Sequence, residues 1–306
     1  MTPPVFVSYR RADEPFAAAL LYAAPAASWP GDPVFLDTRF LRQRGDVGLR
    51  LLAAVAGCEL VLAVIGRAWD DAERRERLAD PADWVRRELV AAAEAGKPVV
   101  PVLVDRDDVP AELPFAPVPH WSPPLRVDST DYRPAVGELA RRVAAVLGPP
   151  TAVPEPAELI GPAVDAMLRH VLPGPQRRMR NGAIVAGVVA GQLEERDWLR
   201  FVATANRPRR PTGSTIVWLT ADRLGVADLG PDFRPRTDPV VVGLGEVRQI
   251  RRRDRHRLWM PVSDLSVGLT GGSVLDLRGF FADEATELLE RISARSSRRP
   301  PPPSGR

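Results

Sequence analysis

The sequence predicts an α/β domain built on a parallel sheet, followed by a smaller, mainly β domain that ends in a helix. Three observations carry this. Strand-like and helix-like segments alternate from residue 5 to residue 148. One strand segment, ELVLAVIG (59–66), is apolar on successive residues, as a strand buried on both faces is. From residue 213 the pattern changes to closely spaced strand segments with one final helix.

The elements follow in order. VFVSY (5–9) is a short β-rich run, and DEPFAAALLYAA (13–24) has helical character. PVFLD (33–37) is a second strand, and VGLRLLAAVAG (47–57) a second helix. After the third strand comes the helix ADWVRRELVAAAEAG (82–96), with Gly96 placed as the C′ residue. PVVPVLVD (98–105) is a fourth strand, LRVD (125–128) a short fifth, and DYRPAVGELARRVAAVLG (131–148) a closing helix. Residues 149–158 read as a proline-rich linker, and 159–212 as a helical or mixed connection in which 182–205 fits helix and strand alike. Residues 213–295 hold the strand segments STIVWLT, RLGVADL, PVVVGL, VRQIRR, LWMPV, LSVGLT and SVLDLR, then the helix FADEATELLERISA. Residues 296–306 are expected to be a disordered tail.

Length and composition bound the rest. A chain of 306 residues predicts two domains, each large enough to bury about 70% of its unfolded surface. Residues 1–148 carry 18 basic and 21 acidic side chains, a net of −3, and residues 149–306 carry 24 and 18, a net of +6. Any preference for anionic partners therefore belongs to the second half. A single cysteine, Cys58, excludes an internal disulfide, and its place before a buried strand predicts core packing. His120, His170 and His256 have no metal-site spacing. The start MTPPVFVSYRR lacks the apolar core of a signal peptide, and the longest apolar run, GAIVAGVVAG (182–191), is too short to span a membrane. A cytoplasmic protein is expected. The glycine spacing in GVVAG (187–191) is expected to mark close backbone packing.

Five pieces in order, VFVSYRRAD (5–13), VFLDTRFLRQRGD (34–46), CELVLAVIGRAW (58–69), DWVRRE (83–88) and KPVVPVLVD (97–105), resemble a bacterial-type Toll/interleukin receptor (TIR) domain over residues 1–148. The resemblance implies a flavodoxin-like sheet of five parallel strands in order 2-1-3-4-5. Such sheets bind ligands beyond the carboxyl ends of their strands, where the strand order reverses. Other folds with this sheet fit less well. SYRRAD has no glycine for a dinucleotide-binding turn, the sole lysine, Lys97, precedes a proline rather than closing a P-loop, and AVIGRAW offers no phospho-acceptor aspartate after the third strand.

Enzymatic TIR domains cleave the nicotinamide–ribose bond of NAD, so the resemblance implies NAD as substrate, with no cofactor and no metal. Glu88 takes the place of the catalytic glutamate, and Trp84, four residues earlier, that of a ring able to stack on a base; by spacing alone, Glu88 reads equally as a solvated helix residue and Trp84 as a core ring packing on the fourth strand. Breaking an N-ribosyl bond builds positive charge on the sugar, which a nearby carboxylate stabilises. Ser8, Tyr9 and Arg10 leave the first strand at the cleft mouth, where they bind ribose or phosphate, or else cap the next helix and pair with Asp13. Asp37, Arg39, Arg42 and Arg44 belong to the loop after the second strand, which in the family mediates self-assembly; phosphate contact and plain solvation remain open for its arginines. The implied activity is an NAD glycohydrolase activated by self-association, in signalling or antiviral defence. The alternative is a non-catalytic TIR scaffold.

The strand set from 213 with its last helix resembles a pleckstrin-homology (PH) domain by pattern alone. RQIRRRDRHRLW (248–259) holds six arginines and reads as an exposed hairpin. Over 248–257 it is either a solvated turn or a patch for anionic lipid or nucleic acid.

Overall fold

A computed structural model describes residues 3–10, 13–36, 47–168, 175–194, 197–205, 214–257 and 260–296. The chain forms two compact units. One is Met1–His170 with Leu193–Trp198, the other Val171–Gln192 with Leu199–Arg306.

The first unit is the expected parallel sheet. Strands β1 (Val5–Ser8), β2 (Val34–Leu36), β3 (Leu60–Ile65), β4 (Val99–Val104) and β5 (Leu125–Val127) lie in order β2-β1-β3-β4-β5. Every neighbouring pair is parallel, with Val5 beside both Val34 and Leu60. Helices α1 (Pro15–Ser28), α2 (Val47–Gly57), α3 (Ala72–Ala79), α4 (Trp84–Glu94) and α5 (Arg133–Leu147) cover it. All six residues of β3 and of β4 are buried, the burial that their unbroken apolar runs require. Gly96 sits just past the last turn of α4 with φ +61°, a left-handed position that glycine fills without strain.

Helix α1 is buried from Phe16 to Pro25 on all sides. A helix apolar all round needs cover beyond the sheet. That cover is α6 (Pro156–Leu168), which packs along α1 with Leu159, Ile160, Ala163, Val164 and Met167 buried at helical spacing. The proline-rich stretch leading into α6 is stitched down. Trp29 Nε1 donates to the Gly148 carbonyl at 3.0 Å, and Thr151 donates to the Ser28 carbonyl from its amide (2.8 Å) and its hydroxyl (2.7 Å).

The second unit contains α7 (Pro175–Ala190), strands β6 (Phe201–Ala205), β7 (Ser214–Leu219), β8 (Arg223–Leu229), β9 (Val240–Gly243), β10 (Val247–Arg257), β11 (Met260–Leu269) and β12 (Val274–Phe281), and α8 (Ala282–Ser296). The stretch that read ambiguously thus resolves into α7 and β6. Strands β6 to β9 form one antiparallel sheet in sequence order, and β10 to β12 a second. The two sheets share a core: Phe201, Val217, Leu219 and Leu224 meet Leu265, Leu277 and Phe280, and α8 adds Ala285, Leu288 and Ile292. Their spacing of three, four and seven places these α8 residues on one stripe.

One sequence reading needs correction here. MPV of the first segment and LSVGL of the second lie on one strand, β11, whose polar Ser263 and Asp264 stay in register with β10 opposite Asp254 and Arg253. The bulge lies in β12, where two residues, Arg278 and Gly279, stand against Asp264, whose Oδ1 accepts from the Gly279 amide at 3.2 Å. GVVAG does mark a close backbone approach at its second glycine: a Cβ on Gly191, just past α7, would lie 3.2 Å from the Gly187 carbonyl oxygen, whereas one on Gly187 would meet nothing within 4 Å. Among the described residues no helix is long and apolar enough to cross a membrane.

Candidate functional site

The site is assembled at the carboxyl ends of β1 and β3. Ser8 is the last residue of β1 and is 1% exposed. Glu88, in the second turn of α4, is 3% exposed and accepts a hydrogen bond from Ser8 Oγ at 2.5 Å. That length is typical of a hydroxyl on a carboxylate, an interaction roughly twice as strong as a neutral pair. The glutamate is therefore not a solvated helix residue; it is aimed at the edge of the sheet.

Two ion pairs flank this bond. Arg10 donates to Asp83 Oδ2 at 2.8 Å, with both side chains largely buried. Asp83 is also the N-cap of α4, its other oxygen accepting from the Arg86 amide at 3.0 Å. Arg10 thus holds the end of the helix that presents Glu88. On the far side Arg74 of α3 donates to Asp13 Oδ1 at 2.9 Å. Burial works against the charge on Arg74 and is outweighed by the charge and hydrogen bond of Asp13, then by Glu73 and Asp71, so the guanidinium is held above its ordinary value. Helix α3 was invisible in the sequence. AERRERLA is polar, and Leu78 is its buried residue.

The Trp84 ring is half-buried and spans to α2, where a Cβ on Gly48 would come within 2.8 Å of its Cη2. The Arg87 guanidinium lies over the ring, 4.2 Å from its centroid. Tyr9 is half-buried directly after Ser8. Asp37, Arg39, Arg42 and Arg44 lie outside the described residues. Cys58 is a core residue, as expected: its Sγ donates to the Val55 carbonyl at 3.1 Å, and burial raises the thiol to about 11 against the partial opposition of the Lys97 charge.

The loops after β3 and β4 are tied beside the site. Arg106 reaches the Gly66 carbonyl at 3.2 Å and Asp70 at 3.2 Å, and Arg67 donates to the Asp105 carbonyl at 2.8 Å.

A five-stranded parallel sheet in order 2-1-3-4-5, with a buried hydroxyl–carboxylate pair at its carboxyl edge, defines a flavodoxin-like domain whose site lies where strand order reverses. Comparison with family profiles sharpens this: residues 5–143 match the TIR domain, and a TIR domain is therefore present over that stretch. No curated protein matches the chain.

Proposed function

We propose that the TIR domain hydrolyses NAD to nicotinamide and ADP-ribose, or to a cyclic form of the ribosyl product. The observation that supports this best is the placement of Glu88, buried at the carboxyl edge of the sheet within 2.5 Å of a hydroxyl from the end of β1. When the bond from ribose C1′ to the pyridinium nitrogen breaks, its electron pair goes to that nitrogen and nicotinamide leaves neutral. No strong general acid is needed. Positive charge gathers at C1′, and the Glu88 carboxylate stabilises it. Water then attacks C1′ and loses its proton to Glu88 or to solvent; in the cyclic form, a group of the bound nucleotide takes the place of water. Ser8 supplies the hydroxyl that Glu88 holds now, and a ribose hydroxyl takes its place in the complex. Arg10 keeps the start of α4 fixed through Asp83. A base stacks on the Trp84 ring in place of the Arg87 guanidinium that now lies over it. Self-association, a general habit of TIR domains, activates the site through the loop at 37–46 of a neighbouring copy, in a signalling or defence role.

A specific observation also favours a scaffold. Glu88 already has a partner, so it pins α4 to the sheet whether or not turnover occurs. Full-length protein at high local concentration, mixed with NAD and followed for nicotinamide release, separates the two. Release that Glu88→Ala abolishes supports the enzyme. No release in any assembly state leaves the scaffold.

The second unit, two antiparallel sheets closed by a helix, supports a PH-like reading. Its outer strand β10 carries exposed Arg251 and Arg253, whereas Arg252 pairs with Asp254 and Arg255 with Asp264. An anionic lipid or nucleic-acid partner fits this strand. Binding to anionic liposomes and to single-stranded nucleic acid, each at low and high salt, tests it; absence of salt-sensitive binding removes it.

A further inference from the structure

The first unit does not end with α6. The chain returns to it at Leu193–Trp198, and Trp198, 55 residues past the matched TIR stretch, is 2% exposed. The indole meets Phe16 edge-on, with centroids 5.1 Å apart at 89°, and lies tilted against Tyr132 at 6.2 Å. Its Nε1 donates to Glu14 Oε2 at 3.3 Å. Glu14 occupies the N-cap position of α1 yet makes no capping bond with its side chain. It turns instead to Trp198 and to the exit of β3, where a Cβ on Gly66 would come within 2.7 Å of Glu14 Cγ.

Trp198 therefore fixes the first turn of α1. The residue before Glu14 is Asp13, which holds Arg74 of α3, and α3 leads directly into α4. The contacts form one chain from Trp198 through Glu14 and Gly66 at the β3 exit, and through Asp13 and Arg74, to the helix that carries Glu88. Every other member lies within residues 5–143. Trp198 does not, and β6 of the second unit begins three residues beyond it, at Phe201.

We propose that Trp198, from outside the TIR stretch, is a positioning residue for the Ser8–Glu88 site. The activity arm of the test rests on the NAD glycohydrolase reading; the structural arm does not. Trp198→Ala removes a fully buried ring and threatens the fold, so Trp198→Phe in the full chain is the informative variant: it keeps the aromatic contact and loses the donor to Glu14. Losing one hydrogen bond of ordinary net strength speeds local opening by about tenfold. Amide exchange over the first turn of α1 and over α3 accelerates by that factor, while β4 is unchanged. For nicotinamide release, kcat falls about tenfold with KM within about twofold, because the residue touches no substrate. Glu14→Gln, which keeps an acceptor for the indole, retains most of kcat.

Unchanged exchange at α1 and α3 makes Trp198 mere filling and overturns the proposal. So does a kcat that is unchanged or raised while Glu88→Gln abolishes release. If the native chain releases no nicotinamide at all, the NAD reading fails by itself, and the exchange result alone decides whether Trp198 holds the site's frame.

Discussion

The two units each bury a hydroxyl–carboxylate pair, and the two pairs differ in everything except chemistry. In the first, Ser8 Oγ lies 2.5 Å from Glu88, joining a strand end to a helix across 80 positions of sequence. In the second, Thr215 Oγ1 lies 2.9 Å from Asp228, and the two residues face each other across neighbouring antiparallel strands, 13 positions apart. The Thr215–Asp228 pair belongs to the ladder around it. The Ser8–Glu88 pair sits at the last rung of the ladder, where Ser8 closes β1 opposite Ala63, and ion pairs from two further segments secure its surroundings. Burial of an acid is thus a poor guide to role. Where the acid stands relative to the strand ends discriminates better.

The largest test of that contrast exchanges each acid for its amide. Glu88→Gln should reduce nicotinamide release on the order of 10³-fold, as loss of a group that stabilises developing charge does. Asp228→Asn should leave release within about twofold and lower unfolding stability by about 1–3 kcal/mol in a denaturant titration. If the two variants behave alike, the distinction between the pairs collapses.

Cys58 sharpens the comparison as a buried titratable group with no place at the strand ends. Its thiol is raised from 9.0 to about 11 by burial, so the folded state favours the protonated form. The stability it contributes is fully present below pH 9 and is lost as pH rises towards 11. The loss should be about 2–3 kcal/mol in a pH series of unfolding curves, and absent in Cys58→Ala. Thiol reagents at pH 8 should label the chain only in denaturant.

The smallest effect is expected at Asp128, which lies after β5 and is exposed. Thr130, first by its hydroxyl and then by its amide, holds this carboxylate below its ordinary value. Its stabilisation is present above pH 3.8 and disappears as pH falls. Thr130→Ala should remove only a few tenths of a kcal/mol, measured at neutral pH against pH 3.

How much of this was readable in advance follows from the range of each interaction. Strands β3 and β4 announce themselves because burial on both faces needs unbroken apolar runs. Gly96 does so because a helix stop has a local backbone requirement. Glu88 stood out through its place in an ordered set of pieces resembling a family, not through its own neighbours. Helix α3 did not, since a helix that buries little beyond Leu78 leaves no periodic stripe. Nor did Trp198: its partner Glu14 is 184 positions away, and nothing local to either residue names the other. The polar pair that split β11 in the reading, Ser263 and Asp264, lies in an unbroken ladder with β10, where polar side chains mimic a turn without making one.

Helix α6 has a last consequence, for where apolar surface is left. With α6 laid along it, α1 shows no exposed large hydrophobic side chain, whereas α2 carries Leu49, 64% exposed. A segment beyond the TIR stretch thus completes the cover of a helix within it.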